Sequence, residues 1–350
     1  MARKHLVHVL ASLNPEVRTR GILSTYSDLG PFEPEALLSR PERVHFTLSQ
    51  ALHGAFSRMY WEKRAWDQHP NPSYHSATSV RRRARYNSLL APGGASFICA
   101  HPSLTTRVSS AVWSCMLRRH LDTPVYDDSR SPLTCSHCGR AMDARGDHAA
   151  NCKHGYGVVH RHNIVRNTLA RFAFRAAGLA CDREVPFLTP GTAHRPADIL
   201  VQPAPPPAGA LPDRPTAYDV TIRNPYTAAN LSLAARSVAG AADAAHTSKL
   251  QTHQRIIRAA MHLESAAPLP VLDWHFMPLA FDTLGAWSAQ TTAVLEDVAH
   301  KIATRTGTTY GIAKTRLAQR LSYAIWSSVA SATLARMPLH GTAPPCTAQV

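Results

Sequence analysis

The segments RPADILV (195–201) and AYDVTIRNP (217–225) decide how the rest of the chain is read. Both are short, rich in β-branched residues and bounded by proline, so each reads as a strand. In the second, a period of two sends Tyr218, Val220 and Ile222 to one face and Asp219 and Thr221 to the other. Asp198 opens the first. A carboxylate on a buried strand needs a partner, because an unpaired charge is costly to take out of water. One divalent cation shared by two neighbouring strands is an economical partner. Mg²⁺ held by two carboxylates turns water into a phosphodiester nucleophile and stabilises the departing oxygen.

Working outward, VVHRHNIVRNTLARFAFRAA (158–177) reads as a helix. Ile164, Val165, Leu169, Phe172 and Ala176 form its apolar stripe, and Gly178 closes it. ACDREVPFL (180–188) reads as a strand and carries Glu184, a candidate further acid. PAPPPAGALPDRPT (203–216) has too many prolines for a central strand or a helix and reads as an exposed loop. Residues 227–265 are Ala-rich and helical, with Lys249 and His253 four apart on one face. An ammonium group near a scissile phosphate stabilises developing charge or orients the attacking water, which makes Lys249 a third candidate. Residues 268–287 return to strand character. From 291 to 337 the chain reads as helical, with Ile312, Leu317, Leu321, Ile325 and Val329 on a buried face. Residues 301–350 carry six basic and no acidic residues, so they read as a basic helical tail.

Upstream of these elements lies CSHCGRAMDARGDHAANC (135–152), with the pattern C-x2-C-x9-H-x3-C. Cys135, Cys138, His148 and Cys152 are four S/N donors in eighteen residues, as tetrahedral zinc requires. His154, His137, His160 and His162 lie close enough in sequence to compete for the fourth position. A module this short lacks a core of its own, so zinc would hold it together. Cys99 and Cys115 have no such spacing and read as core residues.

Length and composition set the frame. A chain of 350 residues suits two domains plus a small module. Hydrophobic residues at 45% and charged residues at 17% are ordinary for a globular chain, and 43 Pro plus Gly excludes a collagen-like class. There is no run of eighteen apolar residues and no secretory leader in the first twenty, so membrane spans and export are not expected. Seven cysteines, an odd number, favour an intracellular metal site over a disulfide framework. The net charge of +15 points to a polyanion, most commonly nucleic acid. Arginines match phosphate geometry and far outnumber the six lysines. Their densest run is Arg81, Arg82, Arg83 and Arg85, beside Tyr86. Arg161 and Arg195, next to the motifs above, join them as candidate phosphate contacts.

The order CxxC…HxxxC, RHN helix, RPAD, DVT, Lys-bearing helix and aromatic LGAW segment resembles the C-terminal end of LINE-like non-LTR retrotransposon polyproteins of the restriction-like endonuclease type. The resemblance covers residues 130–290 and, less specifically, 80–130. It implies an α/β fold with a PD-(D/E)xK core (αβββαβ) at 158–300. A CCHC zinc knuckle at 131–157, a mostly helical linker at 1–130 and the tail at 301–350 would flank it. It also implies Mg²⁺ or Mn²⁺, a DNA partner with element RNA as a second, the nucleus as compartment, and nicking of target DNA. Asp198 matches the Asp of the (R/K)PD motif, although Ala197 intervenes, and Asp219 matches the second acid. Thr221 stands where the common motif has lysine, and Lys249 fits the displaced lysine of this branch. No Y-x-D-D motif is present, so the chain reads as a piece of a larger element without polymerase chemistry. The alternative is an inactive, zinc-dependent nucleic-acid-binding remnant.

Overall fold

Four strands form one sheet in sequence order. They are β1 (Cys181–Val185), β2 (Ala197–Val201), β3 (Thr216–Arg223) and β4 (His275–Asp282). β1–β2 and β2–β3 run antiparallel, and β3–β4 runs parallel over eight pairs, from Thr216↔His275 to Arg223↔Asp282. The parallel pair requires a crossover, and two helices supply it. The computed structural model describes residues 77–100, 106–126, 133–186, 188, 197–203, 213–263 and 272–336. The expected helices of 1–60, Arg195 and most of the proline-rich insert lie outside these residues.

Among the described residues, eight α-helices accompany the sheet: α1 (Ala77–Leu90), α2 (Ser110–His120), α3 (Asp147–Asn151), α4 (Gly157–Leu169), α5 (Ala228–Arg236), α6 (Gly240–Ala260), α7 (Ala289–Thr306) and α8 (Tyr310–Leu334). From α4 onward the order is αβββααβ followed by two more helices. The mixed α/β class matches the reading from sequence. None of the described helices is long and apolar enough to cross a membrane.

One face of the sheet supports the main core. Ile199, Val201, Val220, Leu279 and Phe281 pack there against Val165, Leu169 and Phe174 of the α4 segment, Leu295 and Val298 of α7, and Leu317, Leu321 and Ile325 of α8. Tyr218 stacks on Phe174 at 4.7 Å between ring centres, on the face that alternation assigns to it. The other face carries a smaller cluster of Ala197, Leu200, Ala217 and Trp274.

Three departures from the sequence reading have local causes. Helix α4 widens into a π-turn over Ala170–Phe174. A π-turn adds a residue to the repeat and rotates the side chains beyond it. Ala173 and Phe174 are therefore buried, while Phe172 is only half-buried, with the Arg320 and Arg171 guanidinium groups at 4.2 and 5.0 Å from its ring. The Ala-rich stretch breaks into α5 and α6 at Ala239, which has a positive φ of 57°. The last helical stretch breaks at Gly307 (φ 66°), an αL cap that glycine adopts without penalty. Ile312 then falls off the seam made by Ala313, Leu317 and Leu321 and is 45% exposed.

The expected basic tail is the most deeply embedded helix of the unit that begins at Ser76. Residues 321–335 of the sequence carry no charge, and this uncharged half of α8 explains its position. Ile325 and Val329 enter the main core, while Tyr323, Trp326 and Ala330 enter a second one with Phe97, Met116, Leu133 and Met142. Trp326 is fully buried and donates through Nε1 to the Gly94 carbonyl at 2.9 Å.

At the end of β4, the fully buried Asp282 ties α1 to the sheet. It accepts from Ser88 Oγ at 2.6 Å and from the Leu284 and Ala286 N–H groups at 2.8 and 3.0 Å. Burial outweighs these donors and lifts its pKa from 3.8 to about 6. The folded chain therefore holds this proton more tightly than the unfolded chain does. The resulting stability is fully present below about pH 4 and is lost as pH rises through 6, a change on the order of 3 kcal/mol. Denaturant melts at pH 5 and pH 8 are expected to show about half of this loss, roughly 1.4 kcal/mol, because the unfolded carboxyl is already ionised at pH 5. Asp282→Asn, whose amide can keep both the acceptor and a link to Ser88, is expected to reduce it, leaving the share that Asp219 contributes in the same window. An unchanged pH slope in that variant would remove Asp282 as the source.

Candidate functional site

The β2–β3 ladder runs from Val201↔Thr216 to Ile199↔Tyr218 and then stops. One residue further, the same register sets Asp198 across from Asp219. The strands part there, and the Val220 N–H donates to the Asp198 carboxylate at 2.7 Å. The two carboxylates are close enough for the Asp198 charge to raise the Asp219 pKa. Lys249, on α6, reaches Asp219 with Nζ 2.8 Å from Oδ2 and 3.1 Å from Oδ1. Asp198, Asp219 and Lys249 are thus brought together, as the sequence reading required.

The electrostatics differ across the pair. Burial pushes Asp219 up to about 6, with the Asp198 charge adding to it and Lys249 opposing. Burial also disfavours the Asp198 anion, but His162 and the Val220 N–H outweigh it and hold its pKa below the usual value. His162 Nε2 lies 2.9 Å from Asp198 Oδ2. Burial alone would lower the His162 pKa, and contact with Asp198 raises it instead. Two half-buried carboxylates at one fork are the oxygen donor set that a hard divalent cation such as Mg²⁺ or Mn²⁺ takes.

His162 is the residue that sequence reasoning placed wrongly, as a competitor for zinc. It lies 36 residues before Asp198, on a helix whose phase against the sheet no spacing reveals. Glu184 does not join the pair. The antiparallel register sets it across from Asp198, but its backbone has φ 54° and its side chain is 54% exposed and paired with Arg166. Position 221 is a buried Thr that brings no cation to the site. His253, one turn after Lys249, stacks on Phe276 at 3.8 Å between ring centres.

The second centre is the cysteine cluster. The donor atoms of Cys135, Cys138, His148 and Cys152 all lie within 4.8 Å of one another. Cys135 Sγ is 3.9 Å from Cys152 Sγ, and Cys138 Sγ is 3.2 Å from His148 Nε2. Tetrahedral zinc with S and N ligands at its usual bond lengths has edges of roughly 3.4–3.8 Å, so the set fits zinc. Burial disfavours the Cys135 thiolate, but the His137 and Cys138 N–H groups outweigh it and lower its pKa. Asp143 receives the Asp147 and His148 N–H groups at 2.9 and 2.8 Å and so caps α3, which carries His148. Of the competing histidines, His137 contacts the Ala335 carbonyl, His160 stacks near Tyr156 and His162 binds Asp198, while His154 is outside the set of four converging donors.

This cluster is not a free-standing knuckle. Leu133, Met142 and Ala149 join the second core with Phe97, Met116 and Trp326. Buried arginines tie it down through backbone carbonyls. Arg119 donates to Arg145, Arg161 to Ala150, and Arg336 to Cys152 and His154.

That use of arginine corrects two of the proposed phosphate contacts. Arg161 is buried, and its pKa falls to about 10 because of burial and the nearby Arg119 and Arg336. Arg81 pairs with Asp147 and Asp122 and lies 3.7 Å over the Tyr226 ring, so it clamps α1 to the fold. Arg82 and Arg83 are exposed, and Arg85 is half-buried near Tyr226. Cys115 is buried, with its thiol pushed up to about 11, but Cys99 is exposed rather than in the core.

The chain matches no known protein-family profile, and no curated protein is significantly similar to it.

Zinc analysis of the purified chain is expected to give one ion per molecule. Because the cluster shares a core with α2 and α8, its removal is expected to reach the whole unit. Structural zinc is worth on the order of 10 kcal/mol in small domains, so chelation should lower Tm by roughly 10 °C or more. Cys138→Ser is expected to match the chelated protein. A variant that keeps its zinc, or a Tm indifferent to chelator, would count against the assignment.

Proposed function

We infer that this chain is a divalent-metal-dependent DNA endonuclease, of the PD-(D/E)xK kind found in LINE-like retrotransposons, joined to a zinc-binding module. The observation that carries the reading is the meeting of Asp198, Asp219 and Lys249 at the β2–β3 fork. The αβββααβ order supports it, because it is the αβββαβ order that the resemblance implies with one helix, α5, added between β3 and β4. The excess of 38 Lys plus Arg over 23 Asp plus Glu favours a polyanionic substrate.

Asp198 and Asp219 would hold the cation. When bound, it supplies Lewis-acid activation of the phosphodiester and lowers the pKa of attacking water. Lys249 stands 2.8 Å from Asp219 and is available to stabilise charge developing on the phosphate or to orient water. His162 and the Val220 N–H fix the Asp198 carboxylate, so less ordering is needed when substrate arrives. His162 acts here as a positioning residue.

Supercoiled plasmid incubated with the purified chain is expected to be nicked in Mg²⁺ or Mn²⁺ and left intact without either. Asp219→Ala is expected to abolish nicking with DNA affinity largely retained, and Lys249→Ala to slow it about a hundredfold or more. Intact plasmid in both metals, with salt-sensitive DNA binding by a folded, zinc-loaded chain, would instead identify a binding protein without catalysis.

A further inference from the structure

Helix α4 and its continuation, residues 157–178, contain no Asp or Glu, although the segment spans the distance between the two centres. Its N-terminus lies just beyond the zinc ligand Cys152, and one turn in, His162 touches Asp198. At the start of the helix stands Tyr156, which is 64% exposed although it is a large aromatic. Val159, beside it, is 53% exposed.

Tyr156 is held in place rather than loosely displayed. It lies between Gly155 and Gly157. Gly155 has φ 77°, and a Cβ there would meet the His137 ring at 2.8 Å. A Cβ on Gly157 would meet the Arg336 guanidinium at 2.5 Å. Both glycines thus let the backbone press against side chains anchored at the cysteine cluster. On the helix side, the His160 ring lies 5.4 Å from the Tyr156 ring, and Asn163 Nδ2 reaches the Tyr156 hydroxyl at 3.5 Å. Tyr156, His160, Asn163, Asn167 and Arg171 recur at helical spacing along one side, none of them acidic.

We propose that Tyr156, backed by His160, is a stacking platform for an unpaired base of the DNA strand whose phosphodiester lies at Asp198 and Asp219. An aromatic ring beside a carboxylate-free helix suits this occupant. Every base offers a π-face to the ring, and the phosphates on either side of it meet a helix carrying only neutral and basic side chains. Six residues of helix separate Tyr156 from His162, about 9 Å of rise with the two side chains roughly 120° apart around the axis, a path of about two to three nucleotides of extended strand. The platform therefore holds a base two or three steps from the cleaved bond. The proposal rests on the nuclease reading above for its location, but its test reads binding.

The test uses the full, zinc-loaded chain without added magnesium or manganese. A single-stranded DNA oligonucleotide carrying iodouracil is photo-crosslinked and the attached peptide identified by mass spectrometry. Attachment at Tyr156 is expected. Tyr156→Ala is expected to lower affinity about five- to hundredfold, with Tyr156→Phe and Tyr156→Trp binding like the parent chain. Equal zinc content in all variants verifies the fold. Unchanged affinity in Tyr156→Ala, or attachment elsewhere, would overturn the platform, and an RNA strand of the same sequence that outcompetes DNA would overturn its assignment to DNA. Nicking without a Tyr156 crosslink defeats the platform alone. A Tyr156 crosslink without nicking leaves the platform and removes the nuclease.

Discussion

A backbone N–H that the sheet leaves unpaired controls the arrangement at the candidate site. The β2–β3 ladder ends at Ile199↔Tyr218, and the Val220 N–H beyond it takes the Asp198 carboxylate as acceptor at 2.7 Å. A buried N–H without a partner costs about as much as a lost hydrogen bond, so the carboxylate is fixed by the fold's own accounting. Once Asp198 is held, the register brings Asp219 beside it, and the crossover helix between β3 and β4 brings Lys249. The distortion at Glu184 lies on the other flank of the same residue. Asp198 thus sits where the sheet is irregular on both sides, and a side chain is freed for use where the ladder is not.

Helix α8 is what makes the zinc-ligand cluster and the sheet parts of one unit. Its residues enter the main core on one side and the core beneath the cysteines on another. Arg336, just past its end, donates to the Cys152 and His154 carbonyls. Displacing the cluster would strand Arg119 and Arg161 as buried cations that have lost their acceptors and leave Arg336 with only the Ala332 carbonyl of α8, a costly state. Stability of the metal cluster and of the hydrophobic core is therefore shared.

Much of this was legible in the chain itself. Asp219 and Lys249 could be paired because strand alternation and helix spacing each fix a side, and a β–α connection brings the two faces together. The cysteine–histidine cluster was legible from spacing, with its fourth position open among the neighbouring histidines until the fold brought His148 to the three cysteines. What escaped has one common form: it depends on the relative phase of distant elements. His162 meets Asp198 only because α4 presents that face to the fork. Phe174 replaces Phe172 in the core because a π-turn shifts the repeat, and no residue between 170 and 174 announces it. The embedded position of α8 did leave a sign, the uncharged run 321–335, but the basic residues before it drew the reading toward a tail.

The arginines show why net charge is an imprecise guide to a binding surface. Arg119, Arg161 and Arg336 are buried, and Arg81 is held between two aspartates and a tyrosine ring. None of the four is presented to solvent as a phosphate contact, although all count toward the +15. Their work is to bridge backbone carbonyls and carboxylates around the cysteine cluster, a task that a planar fork of five donors performs better than an ammonium. The charge that a polyanion meets is therefore smaller than composition suggests, and its placement is decided by absence as much as by presence. Within α4 itself Arg161 and Arg166 are buried and Arg166 is paired with Glu184, so what the segment offers a phosphate is its histidines and asparagines and the exposed Arg171 and Arg175 of its continuation. The proposed platform therefore places a strand along α4 on the strength of Tyr156 and the nearness of His162 to Asp198, and not on the density of arginine, which is higher in α1.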